Sequence, residues 1–257
     1  MQKNRSIRDQ FLDDFKVLAY RYRAINVWSD FIVMFACALS RMDKSHFDER
    51  EALYLKTIKK YRKKEQEIFP KLAAYVIEAL DENSEQDFLG ELYMSLGLGD
   101  GAHGQFFTPY HMCEFMAEVL MPEESYMEIA KRGLKYGESI SLNDPCCGAG
   151  ATLIAGINVA RKRLDKLDYN YQECLLVVGQ DIDMIAALMC YIQISLLGVR
   201  GYVKVGNSLT DPIAPNDSKK NYWYTPMYMR EKMMNDQLRK IFGADEDLIT
   251  PIAGVMQ

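Results

Sequence analysis

The sequence predicts an α/β protein in which a helical N-terminal region precedes a parallel sheet. Two observations support this class. Apolar residues recur at helical spacing from about residue 10 to residue 96, with hardly a strand signal. From residue 138 onward, short apolar runs of strand character alternate with helical patterns, which is typical of parallel strands joined by crossover helices.

The helical region begins with a clear apolar repeat. Phe11, Phe15 and Leu18 recur at helical spacing, and Phe31 and its neighbours continue the pattern. The segment LGLGDGAHGQ (96–105) then contains four glycines and predicts a loop and hinge. The sequence therefore divides into a helical N-terminal region, 1–97, and a second domain, 98–257.

The second domain opens with a predicted helix that starts at Thr108 and Pro109, a hydroxyl cap followed by a proline at the first helical position. Its apolar stripe comprises Met112, Phe115, Met116, Val119 and Leu120. Strands are then predicted at 138–144, 173–181 and 201–207, and helices at 151–164, 184–198 and about 229–242. Each strand–helix–strand unit predicts a right-handed crossover in one parallel sheet.

Composition narrows the class of protein. Apolar residues make up 49% of the 257 residues and charged residues 26%, ordinary values for a soluble globular protein. No apolar run reaches the roughly 18 residues of a membrane span, and the N-terminus lacks an apolar signal core. Six cysteines without a CxxC pair are typical of reduced thiols. We therefore expect a cytoplasmic protein with no membrane contact.

Charge is unevenly distributed along the chain. Residues 1–80 carry 16 Lys and Arg against 11 Asp and Glu, whereas the whole chain has a net charge of −5. A polyanion would therefore favour the N-terminal part, around KTIKKYRKK (56–64). A solvated helix face is the alternative explanation of this run.

Three turns follow the predicted strands, and the carboxyl ends of parallel strands are where such sheets bind ligands. NDPCCGAGAT (143–152) contains Gly148 and Gly150, which allow a ligand to approach the backbone closely before a helix start. Asp181 ends the second strand, where an acid accepts ribose hydroxyl groups in dinucleotide folds. Asn207 follows the third strand and offers hydrogen bonds to an adenine edge. Together these turns predict a nucleoside-type cofactor.

The first turn lacks the GxGxxG spacing that a pyrophosphate favours, and the chain contains no GxxxxGK[ST] motif. A cofactor without phosphates fits better, and S-adenosylmethionine is the obvious candidate. Neighbouring cysteines such as Cys146 and Cys147 do not easily chelate one tetrahedral ion, and no histidine is close to them in sequence. The sequence therefore predicts no metal site.

In this order, GQFFTP (104–109), DPCCGAG (144–150), GQDID and GNSL resemble the motifs of the adenine-N6 DNA methyltransferases. The sequence is most similar to the methylation subunits of type I restriction-modification systems and to small relatives on mobile elements. The resemblance implies a Rossmann-type, S-adenosylmethionine-dependent methyltransferase domain with an incomplete sheet.

The resemblance also assigns roles to particular residues. Thr108 and its neighbours would flank the methionine part of the cofactor, Asp181 would bind the ribose, and Asn207 would contact the adenine. The family usually has Asp at this last position. The full set of implied cofactor-binding residues is Phe107, Thr108, Pro109, Asp144, Pro145, Cys146, Gly148, Gly150, Asp181, Ile182, Asn207 and Ser208.

The family's catalytic motif, Asn/Asp-Pro-Pro-Tyr/Phe, is replaced. At the expected distance of 18 residues after Asn207 stands Thr225-Pro226-Met227-Tyr228. The resemblance implies that Thr225, Pro226 and Tyr228 form the catalytic corner, with a hydroxyl in place of the amide that binds the target amine. We expect methyl transfer to be reduced or lost. A plain turn is the alternative interpretation of this segment.

The family's sheet normally continues with three further strands, and no such strands are predicted after residue 228. An open sheet edge is usually covered by self-association or by a protein partner. The resemblance implies DNA as a further partner. A non-catalytic regulatory or decoy subunit of a restriction-modification or mobile-element system is the main alternative function, and a methyltransferase with another substrate class is a third.

Overall fold

The computed structural model describes residues 5–99, 107–133 and 138–242 of the chain. The glycine-rich loop predicted at 96–105 lies largely outside these residues, as does the segment after 242. Within them the protein is a mixed α/β structure with a four-stranded sheet. This architecture is consistent with a methyltransferase-like α/β fold.

The N-terminal region is helical, as predicted. Its elements are α1 (Ile7–Ala19), α2 (Ala24–Leu39), a 3-10 turn (Ser40–Met42), α3 (Phe47–Ile58), α4 (Lys63–Gln66), α5 (Ile68–Glu82) and α6 (Phe88–Ser95). Phe11, Phe15 and Trp28 form a buried aromatic cluster in which the ring centroids of Phe15 and Trp28 are 6.1 Å apart. The predicted apolar repeat therefore packs these helices against one another.

One segment, Ala24–Met42, is long and apolar enough to cross a membrane by length and composition. Half of its apolar window is buried inside the protein, and Trp28, Phe31 and Ile32 are almost completely buried against other helices. These contacts make α2 a helix of the protein core.

Two helices precede the sheet, α7 (Tyr110–Leu120) and α8 (Glu123–Arg132). Pro109, rather than Thr108, is the N-cap of α7, and no side chain caps this helix. The prediction of a hydroxyl cap at Thr108 is therefore wrong. Helix α7 packs through its small residues Cys113 and Ala117 against Ala155, because small side chains permit a close approach of two helices.

Three strands form the predicted parallel sheet: β1 (Ile140–Asp144), β2 (Leu175–Asp181) and β3 (Arg200–Val205). The connecting helices are α9 (Ala151–Asp165), α10 (Tyr171–Cys174) and α11 (Met184–Leu196). Asp144 lies opposite Gly179, and Asp181 lies opposite Val205. The carboxyl ends of the strands therefore meet at one edge of the sheet.

A fourth strand was not predicted. Strand β4 (Tyr222–Tyr224) pairs antiparallel with β3, which gives the strand order β1-β2-β3-β4. Tyr222 lies opposite Lys204, and Tyr224 lies opposite Tyr202. The chain therefore runs back from the carboxyl end of β3 towards its amino end before α12 (Pro226–Phe242) begins.

The hydrophobic core is continuous from the helical region into the sheet. Arg50 of α3 illustrates this continuity, because its guanidinium donates a hydrogen bond of 2.6 Å to the carbonyl oxygen of Tyr222 and stacks 4.0 Å from the ring centroid of Trp223. The same side chain pairs with Asp43 at 3.1 Å. The boundary between residues 97 and 98 stays a prediction.

Candidate cofactor site

The carboxyl ends of β1, β2 and β3 bring three of the predicted turns together. We call this region, residues 144–152, 181–183 and 206–208, the carboxyl edge. Asp144 and Asp181 end neighbouring strands, and Gly206 donates its backbone N–H to the carbonyl oxygen of Asp181 at 2.8 Å. Residues that are 37 and 25 positions apart in sequence are thereby placed side by side.

Asp181 connects the second strand to the glycine turn. Its Oδ2 accepts a hydrogen bond of 2.8 Å from the backbone N–H of Gly148, and its Oδ1 accepts one of 2.9 Å from the N–H of Asp183. Each carboxylate oxygen has a second lone pair. The half-exposed carboxylate is therefore fixed in position and still able to accept from a bound hydroxyl group.

The backbone N–H groups of the glycine turn are largely engaged within the protein. Cys146 donates to Asp144 Oδ1 at 2.9 Å, and Cys147 donates to the carbonyl oxygen of Gln180 at 2.9 Å. Gly150 donates to the carbonyl oxygen of Cys147 at 2.8 Å. A phosphate-binding turn needs such groups to point at its ligand, so this turn fits a cofactor without phosphates.

The two glycines of the turn have backbone conformations that favour glycine. Gly148 has φ = +52°, and a Cβ atom added there would lie 3.2 Å from the ring of Phe107. Gly150 has φ = +101°, and its Cβ atom would lie 2.9 Å from Cys190 Sγ and 3.2 Å from Cys190 Cα. Any side chain at these positions would therefore crowd Phe107 or Cys190.

Phe107 is held against the glycine turn by the helical region. Its ring centroid is 5.5 Å from that of Tyr93, and Tyr93 in turn lies 5.9 Å from Trp28. Burial, with a smaller effect from the nearby Asp183 carboxylate, raises the pKa of Tyr93. The sequence did not single out Tyr93, which belongs to an ordinary apolar helix pattern.

Asn207 forms a turn of its own at the end of β3. Its side-chain Oδ1 accepts from the backbone N–H groups of Leu209 at 2.9 Å and Thr210 at 3.2 Å. Ser208 Oγ lies 3.9 Å from Cys146 Sγ, so the first and third turns touch. The structure thus places Asn207, the predicted adenine contact, and the predicted cofactor-binding residue Ser208 at the carboxyl edge.

The buried Lys204 stabilises the segment that follows this third turn. Its ammonium group donates to Asp211 Oδ1 at 2.8 Å, to Asp217 Oδ2 at 3.0 Å and to the carbonyl oxygen of Pro212 at 3.0 Å. Burial alone would raise the pKa of Asp217, but hydrogen bonds from Tyr222, Lys204 and Lys219 outweigh it, and the pKa is lowered. The network fixes the chain between β3 and β4.

A second buried polar side chain fixes the glycine turn from the helix side. Gln193 Nε2 donates to the carbonyl oxygen of Ala149 at 2.9 Å and to Asp87 Oδ1 at 2.7 Å, and its Oε1 accepts from Leu89 N at 3.1 Å. The sequence signal for this role is one glutamine in the apolar helix α11, and the structure shows that this glutamine is fully buried. Gln193 positions the glycine turn and does not face the carboxyl edge.

The remaining predicted cofactor-binding residues lie at or next to the carboxyl edge. Asp144 also accepts a hydrogen bond from Thr152 Oγ1 at the start of α9, a contact that the sequence did not indicate. Exposed residues at or next to the carboxyl edge are Thr108, Pro109, Pro145, Cys146 and Ile182. Their side chains are thus accessible to a ligand without being fixed by the contacts that hold Asp144 and Asp181.

The structure does not bring the predicted catalytic corner to the carboxyl edge. Thr225 is completely buried, and its Oγ1 donates to the carbonyl oxygen of Val199 at 2.8 Å and accepts from Gly201 N at 3.1 Å. Both partners lie at the amino end of β3. Pro226 starts α12, and the ring of Tyr228 stacks 5.1 Å from that of Tyr224.

The pairing of β4 explains this placement, and the catalytic roles of Thr225, Pro226 and Tyr228 stay a prediction. The backbone N–H of Thr225 donates to Gly201 O at 2.9 Å, which extends the antiparallel pairing of β4 to the far end of β3. Gly201 and Val205 are four residue steps apart in β3, a distance of about 13 Å along a strand. Thr225 therefore caps a helix start, and Tyr228 belongs to a tyrosine cluster with Tyr202 and Tyr222.

The described residues contain no group of three or more His, Cys, Asp or Glu side chains that could hold a metal ion. Cys147 is buried, and a hydrogen bond with the Cys190 thiol together with burial raises the pKa of Cys147. All six cysteines are free thiols.

The fold and the carboxyl edge together define a mixed α/β protein with a methyltransferase-like sheet. The family model described as "N-6 DNA Methylase" matches residues 85–241, more than half of the chain. The protein therefore belongs to the adenine-N6 DNA methyltransferase family, whose members generally use S-adenosylmethionine. Comparison with curated proteins and with solved structures gave no match.

Proposed function

We propose that the protein binds S-adenosylmethionine at the carboxyl edge of a Rossmann-type domain and acts in DNA adenine-N6 methylation. The observation that supports this best is the meeting of Asp144, Gly148, Asp181 and Asn207 at neighbouring strand ends, with Phe107 beside the glycine turn. Engaged backbone N–H groups in that turn favour a cofactor without phosphates.

Each part of the cofactor has a matching group in this arrangement. The fixed carboxylate of Asp181 is suited to the ribose hydroxyl groups, with Ile182 beside it. Asn207 and Ser208 are suited to the adenine, and Phe107, Thr108 and Pro109 to the methionine part. Asp144, Pro145, Cys146 and the two glycines of the turn would line the middle. When bound, the cofactor supplies an electrophilic methyl group on its sulfonium centre.

The second part of the proposal concerns catalysis. Thr225, which stands at the sequence distance expected for the family's amine-binding residue, lies buried at the amino end of β3. Methyl transfer requires the amine to be held in line with the sulfonium, an effect of several kcal/mol. We propose that the chain alone transfers methyl groups slowly or not at all, and that it serves as a regulatory or decoy subunit in a restriction-modification or mobile-element system.

An open edge supports the need for another polypeptide. Strand β1 is the outermost strand of the sheet in the part of the chain that the structure describes. Helix α7, which packs on α9, exposes the apolar stripe Met112, Phe115, Met116, Val119 and Leu120. We propose that a protein partner or a second copy of the chain covers this face. Free thiols at all six cysteines support a cytoplasmic location.

Titration calorimetry with S-adenosylmethionine tests the cofactor assignment. We expect the wild type to bind, and Asp181→Asn to bind roughly 30-fold more weakly or worse, because one charged acceptor is lost. The exposed Asp165→Asn at the end of α9 is the matched control and should bind as the wild type does. No binding by the wild type, or equal binding by all three proteins, would overturn the assignment.

Transfer of a radiolabelled methyl group to unmethylated duplex DNA tests the catalytic part. Cofactor binding without turnover is the expected result for the isolated chain. Robust turnover by the purified chain would contradict the proposed regulatory role and would restore a catalytic function for residues not yet identified.

A further inference from the structure

The structure places a strongly basic surface on the helical region, away from the strand ends. It lies where the connection from α1 to α2 meets the connection from α3 to α4. The rings of Tyr22 and Tyr61 pack there with centroids 4.8 Å apart. We call this surface the basic corner, and its residues are Arg21, Arg23, Lys59, Lys60, Arg62, Lys63 and Lys64.

The cations of the basic corner are accessible and mostly uncompensated. All seven side chains are exposed. Lys60 pairs with Asp30 at 2.7 Å and Arg21 with Glu65 at 3.9 Å. No ion pair within the described ranges engages Lys59, Lys63 or Lys64. This concentration of positive charge stands in a chain with a net charge of −5, so it is a local feature rather than an overall property.

Two further features distinguish the basic corner from an ordinary solvated helix face. A cleft of about 450 Å³ opens between the two connections and is lined by Tyr22, Arg23, Asn26, Lys60 and Tyr61, among others. Next to it, Tyr20 is 96% exposed at the end of α1. Basic side chains beside an accessible aromatic ring, here that of Tyr20, are the groups that bind nucleic-acid backbones and unstacked bases.

A chain of contacts connects the basic corner to the carboxyl edge. Arg23 precedes α2, and Trp28 follows about 7.5 Å further along the helix. The ring of Trp28 lies 5.9 Å from Tyr93, Tyr93 lies 5.5 Å from Phe107, and Phe107 packs against Gly148. Helix α2 and a line of packed aromatic rings therefore connect the two regions.

From these observations we propose that the basic corner binds the phosphate backbone of the DNA whose adenine the carboxyl edge would address. The proposal rests on the DNA-directed function proposed above. The family match favours DNA over RNA or an anionic membrane surface as the polyanion. Phosphate contacts of this kind position a protein on the duplex without reading its sequence.

Binding of a fluorescein-labelled duplex of about 25 base pairs, measured by anisotropy at several NaCl concentrations, tests the proposal. The variant carries Lys59→Gln, Lys63→Gln and Lys64→Gln. Its matched control carries Lys232→Gln, Arg239→Gln and Lys240→Gln on the exposed side of α12, with the same change in net charge. Thermal unfolding of both variants verifies that they fold.

We expect the wild type to bind the duplex with a clear salt dependence. The basic-corner variant should bind at least tenfold more weakly, with a salt slope smaller by about 3, since each phosphate contact contributes about 0.9 to the slope. The control should bind within about twofold of the wild type. These readouts need neither the cofactor nor turnover, so they are separate from the tests of cofactor binding and methyl transfer.

Three results would overturn the proposal. The first is that the wild type does not bind duplex DNA, and the second is that both variants lose the same affinity. The third is that the wild type binds a matched RNA duplex or phosphatidylserine vesicles more tightly than DNA. A loss of cofactor binding with intact, corner-dependent DNA binding would overturn the proposed cofactor site alone.

Discussion

Asp181 and Gly148 are joined by a hydrogen bond of 2.8 Å from the glycine's backbone N–H to the carboxylate Oδ2. The carboxylate at the end of β2 therefore has a structural role that does not depend on a ligand, because it fixes the turn that follows β1. Cys147 reinforces the same link, since its N–H donates to Gln180 O at 2.9 Å. The two strand ends are thus coupled, and a change in one turn is transmitted to the other.

The two glycines of this turn should respond differently to substitution. Gly150→Ala is expected to destabilise the protein by about 3 kcal/mol, because its φ of +101° is strained for alanine and its Cβ would meet the backbone of Cys190. Gly148→Ala should cost about 1 kcal/mol at φ = +52°, since it meets only the Phe107 ring. Urea unfolding of both variants gives the comparison, and equal losses would contradict this account of the turn.

The sequence predicted the three parallel strands and the turns after them, because β2 contains a continuous apolar run and glycines and acids mark the strand ends. Strand β4 was missed, since Tyr222–Tyr224 is three residues long and its antiparallel pairing depends on a distant partner. For the same reason, sequence spacing did not indicate that Thr225 lies at the amino end of β3. The apolar stripe of α7 was found, but its exposure was not predictable, because α7 packs through the small Cys113 and Ala117 instead.

Thr225 should matter for stability and not for cofactor binding. Thr225→Val keeps the shape of the side chain but removes its bonds to Val199 O and Gly201 N, so we expect a loss of about 2 kcal/mol in the free energy of unfolding. Affinity for S-adenosylmethionine under native conditions should stay within about twofold of the wild type.

Thr225→Ser is the control, since it keeps the hydroxyl group and should lose less stability. This account would be contradicted if both variants remained stable and only Thr225→Val lost cofactor binding in calorimetry, because Thr225 would then contribute to the cofactor site.

Replacement of Lys204 should lower both the free energy of unfolding and the affinity for the cofactor. Lys204→Met leaves Asp217 and Asp211 without their buried cation, and breaking such a pair costs about 3 kcal/mol. Because the network holds the chain that follows Asn207, cofactor affinity should also fall several-fold. Lys219→Met removes a more exposed partner of Asp217 and should cost less than about 1 kcal/mol. Equal effects of the two variants in unfolding and calorimetry would refute the supporting role of Lys204.

Asp217 should give part of the stability a defined pH dependence. Its pKa is lowered in the folded protein by hydrogen bonds that outweigh burial, while the unfolded value is about 3.9. The stabilisation is therefore present above about pH 4 and is lost as the pH falls through the folded value. In urea unfolding at pH 7, 5 and 3, the difference between wild type and Asp217→Asn should be largest at pH 7 and 5 and smaller at pH 3. A difference that stays constant across this range would contradict the assignment.

The exposed stripe of α7 should be dispensable for folding of the isolated chain. Phe115 is 65% and Val119 61% exposed, so a Phe115→Gln, Val119→Gln variant should unfold within about 0.5 kcal/mol of the wild type. Ala117→Gln, on the buried side of the same helix, should cost at least 2 kcal/mol because it overpacks the contact with α9. If the double variant is as unstable as Ala117→Gln, the stripe is part of the folded core and no partner is needed to cover it. If the double variant is stable, sedimentation shows what covers the stripe. A wild-type dimer that becomes monomeric in the double variant indicates that a second copy of the chain covers this face. A wild-type monomer indicates that a different protein covers it.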